Sequence, residues 1–311
     1  MDQGGTFTDI VRVDELGRLT LEKVSTAQVV LDEVARSGSR FRCGTTVATN
    51  ALLESRGVPT LLLTTAGFGD LPWIGDQTRS DLFALDIVRT PPLCSGVVEV
   101  AGRIDVMGRV SEPVDVDEIV LRAWLKDGVR SVAIVLVHGP YAPDQERVLA
   151  DRCTSLGFTQ ISMGHEVAPS RGFLARLETT LADAALSPLL PRSVGYYMRS
   201  DGGLAWEDGR EGREWRGCQA VLSGPAGGVV AAADLARKEG LPRIIGFDMG
   251  GTSTDVSRVE GEPERTDVLQ ISGQRLRIPA IRLETVAAGG GSLLHVRSGL
   301  YTVGPRSAGS E

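Results

Sequence analysis

Asp2-Gln3-Gly4-Gly5-Thr6-Phe7-Thr8-Asp9 opens the chain, and Asp248-Met249-Gly250-Gly251-Thr252-Ser253-Thr254-Asp255 repeats its pattern 246 residues later. Both stretches read D-x-G-G-T-x-T-D, with six of eight positions shared. Residues 243–247 before the second copy are strand-like, and Val256 extends the segment after it. Each copy is therefore expected to fold as strand, Gly-Gly turn, strand. Adjacent glycines allow positive φ and leave backbone N–H groups uncovered, so such a turn can approach a phosphate closely. The threonine hydroxyls add donors. An aspartate at the start of the turn suits Mg²⁺, which takes oxygen ligands and keeps most of its waters. Gly-Gly hairpins are common, so one copy would say little. Two copies that retain both acids and both threonines say more: facing each other, they would grip a nucleotide's phosphates from both sides.

On this reading the candidate catalytic residues are Asp2, Asp9, Asp248 and Asp255, with Asp2 and Asp248 also the candidate Mg²⁺ ligands. The candidate phosphate-binding residues are Gly4, Gly5, Thr6 and Thr8 in the first copy and Gly250, Gly251, Thr252 and Thr254 in the second.

Composition narrows the class. The chain has 311 residues, enough for two domains, with 42% hydrophobic and 23% charged residues, ordinary for a globular protein. Its net charge of −7 and the lack of a long Lys/Arg run argue against a nucleic-acid surface. The longest apolar run, residues 132–137, is far below a membrane span, and no signal-peptide pattern is visible. Cys43, Cys94, Cys153 and Cys218 are widely spaced and read as free thiols, and the three histidines show no metal-ligand spacing. A cytoplasmic location is expected.

Along the chain, residues 47–54 read as a helix and 59–65 as a strand. A second unit follows, with a strand at 131–137, a helix at 145–155 and a strand at 159–163. Such alternation implies parallel sheet covered by helices. Residues 67–92 form a long connection, expected at the surface near a site. A helix over about residues 172–190 separates the halves, with Phe173, Leu177, Leu181 and Ala184 on one side. Each half is organised around one hairpin, so the expected fold is a duplicated two-lobed α/β ATPase with its nucleotide in the cleft. The domain expectation is 1–166 and 167–311.

Four stretches carry a family resemblance: GTTVATNALLE at 44–54, IGDQTRSDLF at 74–83, LSGPAGG at 222–228 and GFDMGGTSTD at 246–255. Together they resemble the hydantoinase/oxoprolinase family (hydantoinase A-type), above all its ATP-hydrolysing 5-oxoprolinases. The resemblance runs over essentially the whole chain and closes with VGPRSAG at 303–309. It implies the actin/Hsp70/sugar-kinase fold, ATP and Mg²⁺, and ATP-dependent opening of a cyclic amide, in which 5-oxoproline, ATP and water give glutamate, ADP and phosphate. A lactam carbonyl is a poor electrophile, and phosphorylating its oxygen activates it toward water. The resemblance further implies a hydantoinase B-type subunit or domain as partner, and an oligomer is expected. Hydantoin hydrolysis and acetone carboxylation share the activation step. An actin-like module driving shape change, or an inactive truncated form, stands as the other class.

The remaining candidates leave alternatives open. Ser223, Gly224, Gly227 and Gly228 open a helix expected at 229–238, and either cap it or present N–H groups to an anion. Thr45 and Thr46 raise the same choice, with Asn50 beside them. Arg79 fits a substrate carboxylate, a phosphoryl group or a surface ion pair. Gly289, Gly290 and Gly291 let backbone approach the nucleotide or mark a bend, and the resemblance favours the first. Only Met1 precedes Asp2, and the family continues well beyond residue 311, so the isolated chain is expected to be a poor enzyme with no placeable adenine pocket.

Overall fold

The computed structural model describes residues 1–3, 7–26, 42–78, 83, 85–86, 90–169, 172–190, 195–200, 204–207, 216–251, 253–297 and 299–307. Three sheets organise them. The first has the order β11-β10-β4-β1-β2-β3, built from β1 (Asp2–Gln3), β2 (Phe7–Val13), β3 (Leu19–Ser25), β4 (Arg42–Thr45), β10 (Gly195–Met198) and β11 (Leu204–Glu207). β1 runs parallel to β4 and antiparallel to β2, and β10 runs parallel to β4. Because β10 and β11 join the sheet of the first hairpin, the division expected at 166/167 does not coincide with sheet membership. Pairing with β4 draws this later segment back across it.

The second sheet has the order β7-β6-β5-β8-β9, from β5 (Thr60–Thr65), β6 (Gly96–Ile104), β7 (Val110–Asp115), β8 (Ser131–Val135) and β9 (Gln160–Met163). β6, β5, β8 and β9 are mutually parallel, as the alternation of elements implied. Every residue of β5 and β8 is buried, the pattern of central parallel strands covered on both faces. Leu61, Leu63, Val132 and Ile134 pack on one side with Leu121 of α2 (Glu118–Lys126) and Leu149 and Cys153 of α3 (Pro143–Leu156). Leu62, Ala133 and Val135 pack on the other with Leu177, Leu181 and Ala184 of α4 (Phe173–Leu186). Ala182 and Leu186 of α4 instead join Cys43 and, from α1 (Val47–Leu53), Ala48 and Leu52. A helix buried on both sides ties the parallel sheet to the layer carrying the first hairpin.

The third sheet belongs to the second hairpin. β12 (Arg243–Met249) pairs with β13 (Thr254–Glu260), which also pairs with the strand Leu283–Val286. Helix α5 (Ser223–Lys238) covers one face through Ala226, Val229 and Ala233. All four cysteines are free, as expected, and burial holds the Cys43 and Cys153 thiols up to about 12. No helix among the described residues is long and apolar enough to cross a membrane.

One buried acid pins the ends of the parallel strands. Glu146 of α3 is fully buried and accepts from the Leu136 and His165 amides at 3.0 and 2.9 Å, with His165 Nδ1 at 2.6 Å. Glu146→Ala leaves those buried donors without an acceptor and is expected to lower stability by about 3 kcal/mol. The shift of the urea midpoint measures it.

Candidate functional site

The two hairpins share one register. Asp2 stands opposite Asp9 and Gln3 opposite Thr8; Asp248 stands opposite Asp255 and Met249 opposite Thr254. The first turns of α5 run between them. A Cβ placed on Gly224 would lie 3.3 Å from Asp2 Oδ1, and one on Gly44 3.2 Å from the same oxygen. A Cβ on Gly228, one turn further along the helix, would lie 3.9 Å from Asp248 Oδ2. The carboxylates of Asp2 and Asp248 therefore converge on one face of the start of α5, and side chains at 44 or 224 would crowd Asp2.

Several contacts set α5 in that place. Ser223 Oγ donates to the Thr45 carbonyl at 2.9 Å and accepts from the Thr45 amide at 3.3 Å. Leu222, the N-cap, has φ +59°, a left-handed conformation unusual for a branched residue, and its amide donates to Thr49 Oγ1 at 2.8 Å. Behind it, buried Asp183 of α4 accepts from Ser162 Oγ at 2.7 Å and from the Cys218 amide at 3.3 Å, holding the run into the helix. Pro225 sits in the first turn, where a missing N–H breaks no helical bond. The helix thus starts at Ser223, six residues before the start expected at 229.

Charge gathers here. Asp2 keeps an accessible edge, yet its carboxyl is held above the usual value of 3.8. Burial is the largest cause, and the charges of Asp9 and Asp248 push the same way against the amino terminus and Lys23. A pair of converging carboxylates among glycines suits Mg²⁺, which accepts one or two carboxylates and keeps its waters. Among the described residues no group of three or more acids, histidines or cysteines is placed to hold a metal.

Two cavities meet at this site. The smaller, about 210 Å³, lies between α5 and β12 and includes Gly228, Asp248 and Asp255. The larger, about 1010 Å³, runs from Thr46, Thr49 and Asn50 of α1 to Thr285 and the hairpin Leu269–Leu276. Pro225, Asp255 and Leu283 line both and form the wall between them.

Several candidate residues have other work. Thr8 is fully buried and its hydroxyl pairs with Thr26 at 3.1 Å, so it faces no ligand. Asp9 pairs with Lys23 at 3.1 Å and lines neither cavity. Thr45 and Ser223 are buried and bond to each other, which makes them anchors and not substrate contacts. Thr254 Oγ1 donates to the Ala288 carbonyl at 2.6 Å. The amides of Gly289, Gly290 and Gly291 donate to Ser292 Oγ and the carbonyls of Gly250 and Gly251, so this run braces the second turn in place of offering donors to a phosphate. Thr46 and Asn50 do line the larger cavity, and Gly227 lies within α5. Gly4, Gly5, Thr6, Thr252 and Arg79 lie outside the described residues.

Sequence reasoning gave no role to Lys23, Thr49, Asp183, Leu222 and Thr285, whose contacts come from strand pairing and helix packing; Thr49 and Leu222 lie within the stretches 44–54 and 222–228, but residue type there does not disclose the contact. It also missed a clamp. Arg275 bonds Asp76 at 2.7 Å and Glu178 at 2.9 Å, while Gln274 Nε2 donates to the Pro91 carbonyl at 2.9 Å. The long connection at 67–92 thereby grips the hairpin that walls the larger cavity.

Residues 1–157 match the family described as the hydantoinase/oxoprolinase N-terminal region, and residues 176–311 that described as hydantoinase/oxoprolinase. A 5-oxoprolinase of Saccharomyces cerevisiae is 36% identical over 317 residues, covering 87% of this chain and 24% of its own length. The caprolactamase subunit alpha of Pseudomonas jessenii is 33% identical over all of this chain and 50% of its own. A crystal structure of ATP-dependent caprolactamase from that organism superposes with a TM-score of 0.75 at 30% identity, covering 100% of this chain and 51% of its own. Nucleotide-free acetone carboxylase superposes with a TM-score of 0.74 over 98% of this chain and 50% of its own, at 22% identity, a likeness of fold alone. The chain spans about a quarter to a half of the length of these relatives.

Two outcomes follow from this geometry. A Cβ on Gly289 would meet the Gly250 carbonyl oxygen at 2.5 Å, whereas on Gly290 the nearest atom is that oxygen at 3.8 Å. Gly289→Ala is therefore expected to lower stability by about 2 kcal/mol and Gly290→Ala to change it little, compared by urea denaturation. Asp76 is held down to about 2, chiefly by the Thr78 amide and hydroxyl, with Arg275 adding to them. A carboxyl lowered on folding stabilises above its unfolded value of 3.8, and that contribution is lost as pH falls toward 2. Because Asp76 is partly exposed, Asp76→Asn is expected to cost no more than about 1 kcal/mol at neutral pH. Its urea midpoint should meet that of the unaltered protein near pH 2.

Proposed function

The chain belongs to the hydantoinase/oxoprolinase family, and from that premise we propose that it is the nucleotide-binding, substrate-phosphorylating part of an ATP-dependent cyclic-amide hydrolase. The observation that carries this reading is the convergence of Asp2 and Asp248, from two hairpins of one register, on the glycine face of α5. When bound, Mg²⁺-ATP supplies the phosphoryl group that activates a lactam oxygen and the metal charge that offsets its phosphates. Asp2 and Asp248 would hold Mg²⁺, through its waters. Gly250 and Gly251 leave the first half of the second hairpin's turn without side chains, and the start of α5 turns its N-terminal partial charge toward the same space. Asp255, in the wall between the cavities, stands where a substrate in the larger cavity would meet phosphate in the smaller. The two-lobed actin-like arrangement belongs to this reading, as do the roles of these residues.

The relatives named 5-oxoprolinase support 5-oxoproline as substrate, with glutamate as product. A second observation favours a neutral lactam such as caprolactam. The only cation among the described residues lining the larger cavity is Arg282, already held by Glu264 at 3.3 Å and Glu284 at 3.5 Å. The partner in either case is a hydantoinase B-type subunit or domain that helps hydrolyse the activated amide, in line with the relative named as a subunit alpha.

The test is calorimetric titration of the purified chain with Mg²⁺-ADP, then phosphate release from ATP with 5-oxoproline, caprolactam, hydantoin or acetone, with and without a B-type partner. A chain with no affinity for Mg²⁺-nucleotide would sink the reading. Asp248→Asn keeps side-chain shape but removes charge, and is expected to lower Mg²⁺-dependent ATP turnover roughly a hundredfold, about 3 kcal/mol, with folding unchanged. A lower urea midpoint with turnover intact would assign Asp248 to its own turn alone.

A further inference from the structure

The hairpins match in register but not in what surrounds their second acid. In the first, Asp9 is paired with Lys23 and both side chains are more than half exposed. In the second, Asp255 Oδ1 accepts from Thr285 Oγ1 at 2.6 Å, and no ion pair to Asp255 exists among the described residues. That distance is the usual one for a hydroxyl bonded to a carboxylate, about 2.5 to 2.7 Å. A hydroxyl orients the carboxylate without neutralising it, whereas a lysine does both.

Backbone pairing sets up the contact. Thr285 lies directly opposite Asp255 where the strand Leu283–Val286 pairs with β13. Its branched Cβ restricts χ1, so the hydroxyl direction is settled by the strand. Just past the end of that strand, the chain binds the hairpin again, through Ala288, Gly290 and Gly291. Thr285 and Asp255 both line the larger cavity, and Asp255 also lines the smaller.

We propose that Thr285 is a positioning residue, whose hydroxyl fixes the Asp255 carboxylate in the wall between the two cavities. The catalytic part of this rests on the nucleotide-site reading above; the positional part does not. Thr285→Val keeps shape and loses the hydroxyl, and Thr285→Ser keeps the hydroxyl. In the full chain, Thr285→Val is expected to lower kcat for ATP about tenfold with KM little changed, and Thr285→Ser to restore most of it. A lesion that merely loosened the fold would not be rescued by serine.

The second readout needs no activity. Three-bond couplings to Asp255 Cγ, measured by NMR on labelled protein, should report one χ1 rotamer in the unaltered chain and in Thr285→Ser, and rotamer averaging in Thr285→Val. A single Asp255 rotamer in Thr285→Val overturns the proposal, whatever the turnover. Averaging with kcat unchanged overturns it as well, because an oriented Asp255 would then be idle. If the unaltered chain neither binds nor hydrolyses Mg²⁺-nucleotide, the functional reading fails, and the couplings alone decide the positional claim.

Discussion

The approach of one helix start to two carboxylates is the constraint on which the site depends. Residues 224 and 228 fall one turn apart on the same face of α5; a side chain at 224 would press on Asp2, and one at 228 would come into ordinary contact with Asp248. Glycine at both lets backbone take the place of side chain. The helix start also carries a partial positive charge, which favours nearby acids. Holding a helix there has a cost. Leu222 adopts a left-handed conformation, a strain of about 1 to 2 kcal/mol, compensated by its bond to Thr49 and by the Ser223–Thr45 pair.

The parallel sheet contributes support from behind. Its central strands are covered on both faces, and α4 is buried both against that sheet and against the layer carrying the first hairpin. Asp183 on α4 reaches through the interior to the amide of Cys218, four residues before Leu222. A buried carboxylate with several donors is directional in a way that apolar packing is not, so it sets the register of the run into α5. The chain from β8 through α4 to α5 is then a continuous line of packed elements ending at the site.

The hairpins show how one pattern acquires two characters. The same register puts an aspartate opposite an aspartate in each. The neighbours differ, with a lysine salt bridge at the first and a threonine hydroxyl and a bracing glycine run at the second. Asp9 is salt-bridged at an exposed strand, while Asp255, with no ion pair among the described residues, stands beside two cavities.

The repeated D-x-G-G-T-x-T-D pattern made both hairpins legible from sequence, because turn glycines and flanking strand residues act locally. The alternation of apolar strand and helix likewise disclosed β5, β8, β9 and α4, since periodicity reports which faces are buried. The long strand Gly96–Ile104 and the return of β10 and β11 to the first sheet were not legible, as strand partners are chosen by distant segments. The same limit applied within the site. Sequence offered Thr8 and Thr254 as phosphate contacts by their place in the repeat, left Thr45 and Ser223 open between cap and ligand, and took the Gly289–Gly291 run from the resemblance; tertiary structure bonds their donors within the chain. By itself the sequence determined the two turns, the acids that flank them and the family. Which hydroxyls and amides stay free for a ligand was decided only by the fold, because a hydrogen-bond donor serves whichever acceptor packing brings to it.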